Sequence, residues 1–361
     1  MARSKKSGPK RVVYLWGAGA TQAEAQHLGA TVSLLMRNND HFGEGIATRI
    51  LKRTGRRLTS SFGDGQDVDI EKLISLLAAS GIDEHTRLAE EMRESYFIEL
   101  KASLDKANVL DNPQQAIQLL KMHKYQTFRE EVETLSGIIT TNHDGLLQVA
   151  SQAVFGKVNL GFKYSSAVFT EVLSNSTPPI LQLHGSFTWR FGIPLKVGKL
   201  RRGSIFNETV WIPPTILKES KNYPFNKLSG LAYELLARHC DVLRVIGASL
   251  TQNDWNILSL IFNAQRHRES TKGAAFLIEL ILPHDTGEWI KKECAYLKNM
   301  FPIGYLTEGQ FAEYKNKYDE EEEIRPDSDL ANPFVYWLSE KRAYHRAREE
   351  LSDVGVDEVA A

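Results

Sequence analysis

The sequence predicts an α/β protein with a parallel sheet, helices on both faces of that sheet, and a helical module inserted after the first strand. Three observations support this fold class. Short apolar runs recur along the chain, and they are continuously apolar rather than alternating, as expected for strands covered on both faces. Most of them end abruptly at Gly, Asn, His or Ser, which is typical of parallel strands that lead into functional loops. A long stretch with helical periodicity separates the first two runs.

Five apolar runs are predicted as strands. They comprise residues 12–16, 138–140, 180–183, 242–246 and 276–282. Gly17 follows the first run, and Asn142 follows the second within two residues. His184 and Gly247 directly follow the third and fourth runs. The candidate functional residues therefore lie at the ends of predicted strands.

The helical module is predicted at about residues 67–132. In its first helix apolar residues recur at helical spacing, and Gly81 follows as a stop signal. The second helix continues the pattern with Met92, Tyr96, Leu100 and Leu104. Asn112 and Pro113 have the residue types of an N-cap and a first-turn proline, so they predict the start of a third helix.

The main domain is predicted over residues 11–318, between segments of different composition. Residues 1–10 form a basic flexible tail with no apolar stretch behind it, which does not fit a secretory signal. Residues 319–331 are an acidic linker, and residues 332–361 are predicted as a C-terminal helix and tail.

The predicted C-terminal helix runs from Asn332 to about Leu351 and carries an apolar face. Phe334, Trp337 and Leu338 lie on roughly one side, with Arg and Glu on the other. Two interpretations stay open. The helix closes the core of its own domain, or it contacts another subunit or a partner protein. The second interpretation predicts a homo-oligomer.

Composition excludes several classes of function. The 361 residues are 42% hydrophobic and 25% charged with a net charge of −1, which fits a soluble globular protein. Such a balance predicts neither nucleic acid nor an anionic membrane as the main partner. No stretch of the sequence approaches about 18 uninterrupted apolar residues, so a membrane span is not predicted. Two distant cysteines, Cys240 and Cys294, exclude a cysteine zinc ribbon and favour a cytoplasmic protein.

The segment Gly17-Ala18-Gly19-Ala20-Thr21 follows the first strand and precedes a helix-like run. Small residues let the backbone approach a pyrophosphate, and the N–H groups at a helix N-terminus bind its charge. A dehydrogenase fingerprint is one alternative, with residues 31–36 as a second strand and Asp40 near its end. The third glycine of that fingerprint is absent, because Gln22 stands in its place.

Three later turns carry polar or small residues. Asn142 and Asp144 lie ahead of an apolar helix, where such residues often act only as helix caps. His184 is followed by Gly185, which would let a ligand come close, although a single histidine there is more often structural. The turn Gly247-Ala248-Ser249-Leu250 suits phosphate or ribose hydroxyls.

Taken in order, these motifs resemble those of the sirtuin-like family, the silent-information-regulator-type NAD⁺ enzymes. GAGAT is similar to the GAG(A/I)S loop of that family, TTNHD to its (T/Q)xNxD element, LHGS to its HG element, and GASLTQND to its GxSLxxxD element. WIPPT at residues 211–215 is similar to a strand-and-PPT element of the bacterial branch. The resemblance covers about residues 11–310 and implies a Rossmann-like fold.

Two departures from the deacylating sirtuins refine this resemblance. Those enzymes carry a four-cysteine zinc module after the HG element, and this chain has no cysteines to form one there. Thr141 replaces the glutamine that usually precedes the key asparagine. The resemblance therefore points to the prokaryotic branch that hydrolyses NAD⁺ in anti-phage defence.

The resemblance also implies roles for individual residues, with NAD⁺ as the substrate and no metal. Asn142 would orient ribose hydroxyls and the attacking water, His184 would act as general base, and Asp144 would hold the ribose or the loop. The predicted dinucleotide-binding residues are Gly17, Ala18, Gly19, Thr21, Gly185, Gly247, Ser249 and Leu250.

An enzyme that hydrolyses free NAD⁺ would deplete its own cell, so its activity is expected to be conditional. The expected trigger is a separate activator or sensor protein or a change of assembly. For a separate protein the resemblance implies a HerA-like ATPase as the first candidate and an Argonaute-associated protein as the second. Three other functions stay open: a sirtuin-type deacylase or ADP-ribosyltransferase, a dehydrogenase, and a module that binds NAD⁺ or ADP-ribose without catalysis.

Overall fold

The computed structural model describes thirteen segments of the chain: residues 9–27, 70–107, 110–111, 113–124, 133–161, 177–190, 196–197, 209–213, 222–248, 250, 254–272, 276–281 and 303–304. The acidic linker predicted at 319–331 and the helix predicted from Asn332 lie outside the described residues. So do Ser249, Asn112, the segment 31–36 and nearly all of the predicted basic tail.

The described elements are nine strands and seven helices. In chain order they are β1 (Lys10–Trp16), α1 (Ala18–His27), α2 (Ile70–Ala79), α3 (Asp83–Ala107), α4 (Gln114–Lys124), β2 (Glu133–Thr140), α5 (Leu146–Phe155), β3 (Ile180–Gln182), β4 (Gly185–Arg190), β5 (Lys196–Val197), β6 (Thr209–Trp211), α6 (Phe225–His239), β7 (Val242–Ile246), α7 (Trp255–Lys272), β8 (Leu277–Ile281) and β9 (Ile303–Gly304).

The main sheet is parallel and has the strand order β3-β2-β1-β7-β8-β9. The predicted parallel α/β class is thus confirmed, and each of the five apolar runs supplies one of its strands. From the central strand β1 the chain first adds strands on one side and later on the other, so the order reverses between β1 and β7. A second, antiparallel sheet with the order β5-β4-β6 was not predicted.

Both faces of the main sheet are covered. Residues 12–16 of β1 are all buried, although successive side chains of a strand point to opposite faces. The Tyr14 hydroxyl reaches His123 of α4 at 2.9 Å. Helix α4 also packs on α1, α5 and β2, whereas α6 packs on α7 and on β1, β2 and β3. Continuous apolarity in the strand sequences reflects this double coverage.

Helices α2, α3 and α4 occupy the region predicted to be helical. The carbonyl of Pro113 accepts the first hydrogen bond of α4, from the N–H of Ile117 at 2.9 Å. The buried carboxylate of Glu24 accepts the N–H groups of Gln115 and Ala116 at 3.0 and 3.1 Å. A negative charge at this end stabilises a helix, because it satisfies orphan N–H groups and opposes the helix dipole. Helix α1 thereby anchors α4.

A buried ion pair crosses the central strand. Both terminal nitrogens of Arg244, in the middle of β7, donate to the two carboxylate oxygens of Glu133 at 2.7 Å. Glu133 is the first residue of β2, so the guanidinium reaches over β1. Each side chain is only 2% exposed, so the two charges lie away from water and each depends on the other.

We expect Glu133→Leu to lower the free energy of unfolding by about 3–5 kcal/mol, because it leaves a buried guanidinium without its carboxylate. The double variant Glu133→Leu/Arg244→Met should regain much of this loss, since both charges of the buried pair are removed together. Urea unfolding of both variants and the wild type measures the difference. A double variant no more stable than Glu133→Leu would contradict the prediction.

Candidate functional site

The predicted site residues that the structure describes lie at the carboxyl-terminal edge of the main sheet. Gly17 follows β1, Gly247 follows β7, and Asn142 follows β2. His184 lies between β3 and β4. In open α/β sheets, ligands bind outside the carboxyl ends of the strands where the strand order reverses. Here that point lies between β1 and β7.

The turns after β1 and β7 pack backbone against backbone. Gly17 donates its N–H to the carbonyl of Ile246, and Gly19 donates to that of Gly247, both at 2.9 Å. A Cβ on Gly17 would lie 2.4 Å from the Cα of Ala248. A Cβ on Gly247, whose φ is +60°, would lie 2.1 Å from the nitrogen of Ala20. The glycines therefore serve this close approach of the two turns.

This packing determines which N–H groups a phosphate could meet. Those of Gly17 and Gly19 already donate to the β7 turn, and that of Ala20 donates to the Gly17 carbonyl at 3.1 Å. The N–H of Ala18 has no acceptor among the described residues. Ala18 is also partly exposed, so its N–H is the donor that this turn most readily offers to an anion.

The buried hydroxyl of Thr21 connects α1 to the loop between β2 and α5. It donates to Oδ2 of Asp144 at 3.0 Å and accepts from Nδ2 of Asn142 at 3.0 Å. The indole N–H of Trp16 also points to it, at 3.3 Å. The hydroxyl is thus committed to the Asn142–Asp144 loop, and its contact with phosphate stays a prediction.

Asn142 is held in one orientation. Its Nδ2 donates both to the carbonyl of Gly17 and to the hydroxyl of Thr21 at 3.0 Å, and its backbone N–H donates to the hydroxyl of Thr140. No described residue donates to its Oδ1. The side chain is partly exposed, so this oxygen can accept a hydrogen bond from a hydroxyl group or a water.

Asp144 is buried and does two things. Its Oδ1 accepts the N–H of Leu146, the first residue of α5, from one position before the N-cap residue Gly145, and its Oδ2 accepts from Thr21. Burial raises the pKa of this carboxyl, and the hydrogen bonds from Leu146 and Thr21 oppose that rise. The Asp144 carboxyl therefore fixes the start of α5 next to the loop that carries Asn142.

His184 is buried in the turn that joins the two sheets. Its carbonyl accepts the N–H of Ile212 at 2.8 Å, which ties the turn to the end of β6. Gly185 has a φ of +78°, and a Cβ there would lie 2.4 Å from the carbonyl oxygen of Val210. This glycine is therefore required for the pairing of β4 with β6.

The remaining residues predicted to bind the dinucleotide are Ser249 and Leu250. Leu250 has a φ of +47°, an uncommon value for a branched side chain, and its side chain is buried. It therefore packs into the core and has only its backbone to offer a ligand.

Sequence reasoning missed a cluster of aromatic rings beside His184. The ring of His143 stacks on Phe187 with centroids 5.4 Å apart, meets the edge of Trp211 at 5.1 Å and lies 6.2 Å from His184. Tyr96 of α3 stacks on Trp211 at 6.1 Å. His143 lies inside the TTNHD motif, so the sequence could have identified it as a site residue. No sequence pattern indicates the contact between Trp211 and α3.

The described residues contain no group of three or more His, Cys, Asp or Glu side chains that could hold a metal ion. Cys240 is buried, and burial raises the pKa of its thiol, which disfavours the thiolate that metals bind.

Among the helices that the structure describes, none has both the length and the apolar composition that a membrane span requires. No model of a known protein family matches the sequence, and no match was found among curated proteins.

Proposed function

We propose that this protein is an NAD⁺ hydrolase that cleaves the nicotinamide–ribose bond to give ADP-ribose and nicotinamide. The observation that carries the proposal is the meeting of four separate sequence motifs at one edge of the sheet. Asn142 Nδ2 lies 3.0 Å from the Gly17 carbonyl, Gly19 N lies 2.9 Å from the Gly247 carbonyl, and His184 follows the neighbouring strand β3.

The strand order supports a dinucleotide as the ligand. Counting only the strands of the main sheet, their spatial order is 3-2-1-4-5-6, the order of Rossmann-like dinucleotide-binding sheets. Such sheets bind a pyrophosphate at the turn after the first strand, where the order reverses. In this chain that turn is Gly17–Ala18–Gly19, opposite Gly247.

The chemistry assigned to the site follows from what each group can do. As the bond between ribose and nicotinamide breaks, positive charge develops on the ribose and the bonding electrons leave with nicotinamide. A water oxygen then bonds to the ribose carbon, and His184 takes the proton of that water. Asn142 Oδ1 accepts a hydrogen bond from a ribose hydroxyl or from this water. Asp144 acts behind Asn142 by holding the loop.

The proposed role is a conditional effector that depletes NAD⁺ in cytoplasmic anti-phage defence. The activator would be a separate protein such as a HerA-like ATPase, or a change in homo-oligomeric assembly. The predicted helix from Asn332 to Leu351, outside the described residues, is proposed to contribute to assembly or partner docking.

Incubation of the protein with NAD⁺, followed by mass spectrometry of the products, tests the proposal. The expected result is equimolar nicotinamide and ADP-ribose. An unchanged nucleotide that stays bound would identify a non-catalytic binding module instead. Release of nicotinamide only with an acetylated peptide or an acceptor protein would identify a deacylase or transferase. Absorbance of reduced nicotinamide would identify a dehydrogenase.

We expect this activity to be independent of metal, because the assigned residues include neither a thiolate nor a group of carboxylates. Nicotinamide release should be unchanged within about twofold after dialysis against EDTA. The same protein with added Zn²⁺ is the control. Activity that is lost in the chelator and restored by Zn²⁺ would contradict the assignment.

A further inference from the structure

Three consecutive backbone carbonyls in the loop that carries Asn142, those of residues 142–144, are bound by residues close to His184 in sequence. The amide Nε2 of Gln182 donates to the carbonyl of Asp144 at 2.9 Å and to that of Asn142 at 3.3 Å. Gln182 is the last residue of β3, two positions before His184, and its side chain is buried.

The carbonyl between these two is bound from the other side of His184. His143 O accepts the N–H of Phe187 at 2.9 Å and the hydroxyl of Ser186 at 3.2 Å. Ser186 is fully buried and lies two positions after His184. Residues at equal distances before and after His184 therefore hold the loop and the histidine turn together.

A chain of buried side chains fixes the orientation of the Gln182 amide. Carbonyl oxygens can only accept hydrogen bonds, so both N–H groups of Gln182 must face them. Its Oε1 then accepts from Nε2 of Gln148, whose own Oε1 accepts the hydroxyl of Thr188 at 3.2 Å. The backbone N–H of Thr188 donates to the hydroxyl of Ser186 at 3.2 Å, which closes the network. Reversing the amide would place an oxygen against two oxygens.

We propose that Gln182 is a positioning residue that sets the distance between Asn142 and His184. This inference rests on the proposed function, in which one group binds the ribose or water and the other takes a proton. Such pairs act only when they are held within a fraction of an ångström of the productive geometry. Gln182 contacts the loop main chain and lies in the strand that leads to His184, so its amide couples the two.

Gln182→Met tests the proposal, with Gln265→Met as the matched control. Gln265 is equally buried and bonds the backbone carbonyl and N–H of Phe276 at 2.8 and 2.9 Å, between α7 and β8. We expect Gln182→Met to lower kcat at least about tenfold per folded molecule, with KM within about threefold. Gln265→Met should leave both constants within about twofold while lowering the melting temperature similarly.

A second variant covers the case in which Gln182→Met does not fold. Gln182→Glu keeps the shape of the side chain and replaces the donating nitrogen by an oxygen, so it should lower kcat at least as strongly. Values of kcat for both Gln182 variants within about twofold of that of Gln265→Met would show a merely structural role and overturn the proposal.

Amide hydrogen exchange separates this proposal from the proposed function. In the Gln182 variants, residues 142–147 and 184–188 should exchange faster together, whereas Gln265→Met should affect only the region around Phe276. A wild-type protein that releases no nicotinamide would defeat the proposed function, and exchange would still test the coupling. Unchanged exchange of residues 142–147 and 184–188 in the Gln182 variants would overturn the proposal that Gln182 positions Asn142 against His184.

Discussion

His184→Ala is expected to lower nicotinamide release at least about 100-fold, because it removes the proposed general base and the contribution of that base to the transition state. The backbone of the turn is held by the bond from Ile212 to the carbonyl of residue 184, which the substitution leaves in place. The fold should therefore survive. Measurement of kcat by nicotinamide release, with circular dichroism and a melting curve on the same sample, checks the prediction.

Asn142→Ala should cause a similar loss of activity, and it also removes the two bonds that Nδ2 makes to Gly17 and Thr21. His85→Ala is the matched control, since His85 is a partly exposed histidine on α3 whose ring bonds only Ser80 among the described residues. If the folded His184 and Asn142 variants both turn over NAD⁺ as fast as the His85 variant, the assigned site is wrong.

Gly247→Ala is expected to destabilise the protein strongly and to abolish NAD⁺ binding. The new Cβ would collide with the backbone of Ala20, and the two turns of the site would have to separate. Gly156→Ala is the matched control, because Gly156 also has a positive φ of +71° but no atom within 4 Å of its Cβ position. Gly156→Ala should lower the free energy of unfolding by only about 1–2 kcal/mol, which is the cost of holding an alanine in the left-handed backbone conformation.

We expect Gly247→Ala to lower the free energy of unfolding by at least about 2 kcal/mol more than Gly156→Ala, from the strain added at the turn. Urea unfolding gives the stabilities, and calorimetric titration with NAD⁺ gives the binding. Equal losses of stability in the two variants would mean that the turns after β1 and β7 do not pack as described.

The sequence was sufficient to predict five of the six strands of the main sheet, all but β9, but not their arrangement. Residues 12–16 and 242–246 are apolar throughout because helices cover both faces, and this pattern is local. That β7 pairs with β1 depends on contacts across more than 200 residues, which no local pattern contains. Strands β5 and β6 have only two and three residues, too few for a period to be visible.

The polar residues of the candidate site could be predicted from the sequence. The packing around them could be predicted less well. Asn142, Asp144 and His184 are polar residues at strand ends, which is a local signal. The glycines were interpreted as making room for a ligand, whereas Gly17 and Gly247 make room for each other's turns. The aromatic cluster could not be predicted, because it joins Tyr96 to Trp211 across helix and sheet.

The central position of β1 has a consequence for synthesis on the ribosome. This strand emerges before both of its neighbours, which begin only at Glu133 and Val242. At translation rates of roughly 5–20 residues per second, it waits on the order of ten seconds for β2 and longer for β7. During that time its two apolar faces and both unpaired backbone edges are open to wrong pairing. A nascent chain arrested before β7 should therefore depend on chaperones more than the finished protein does.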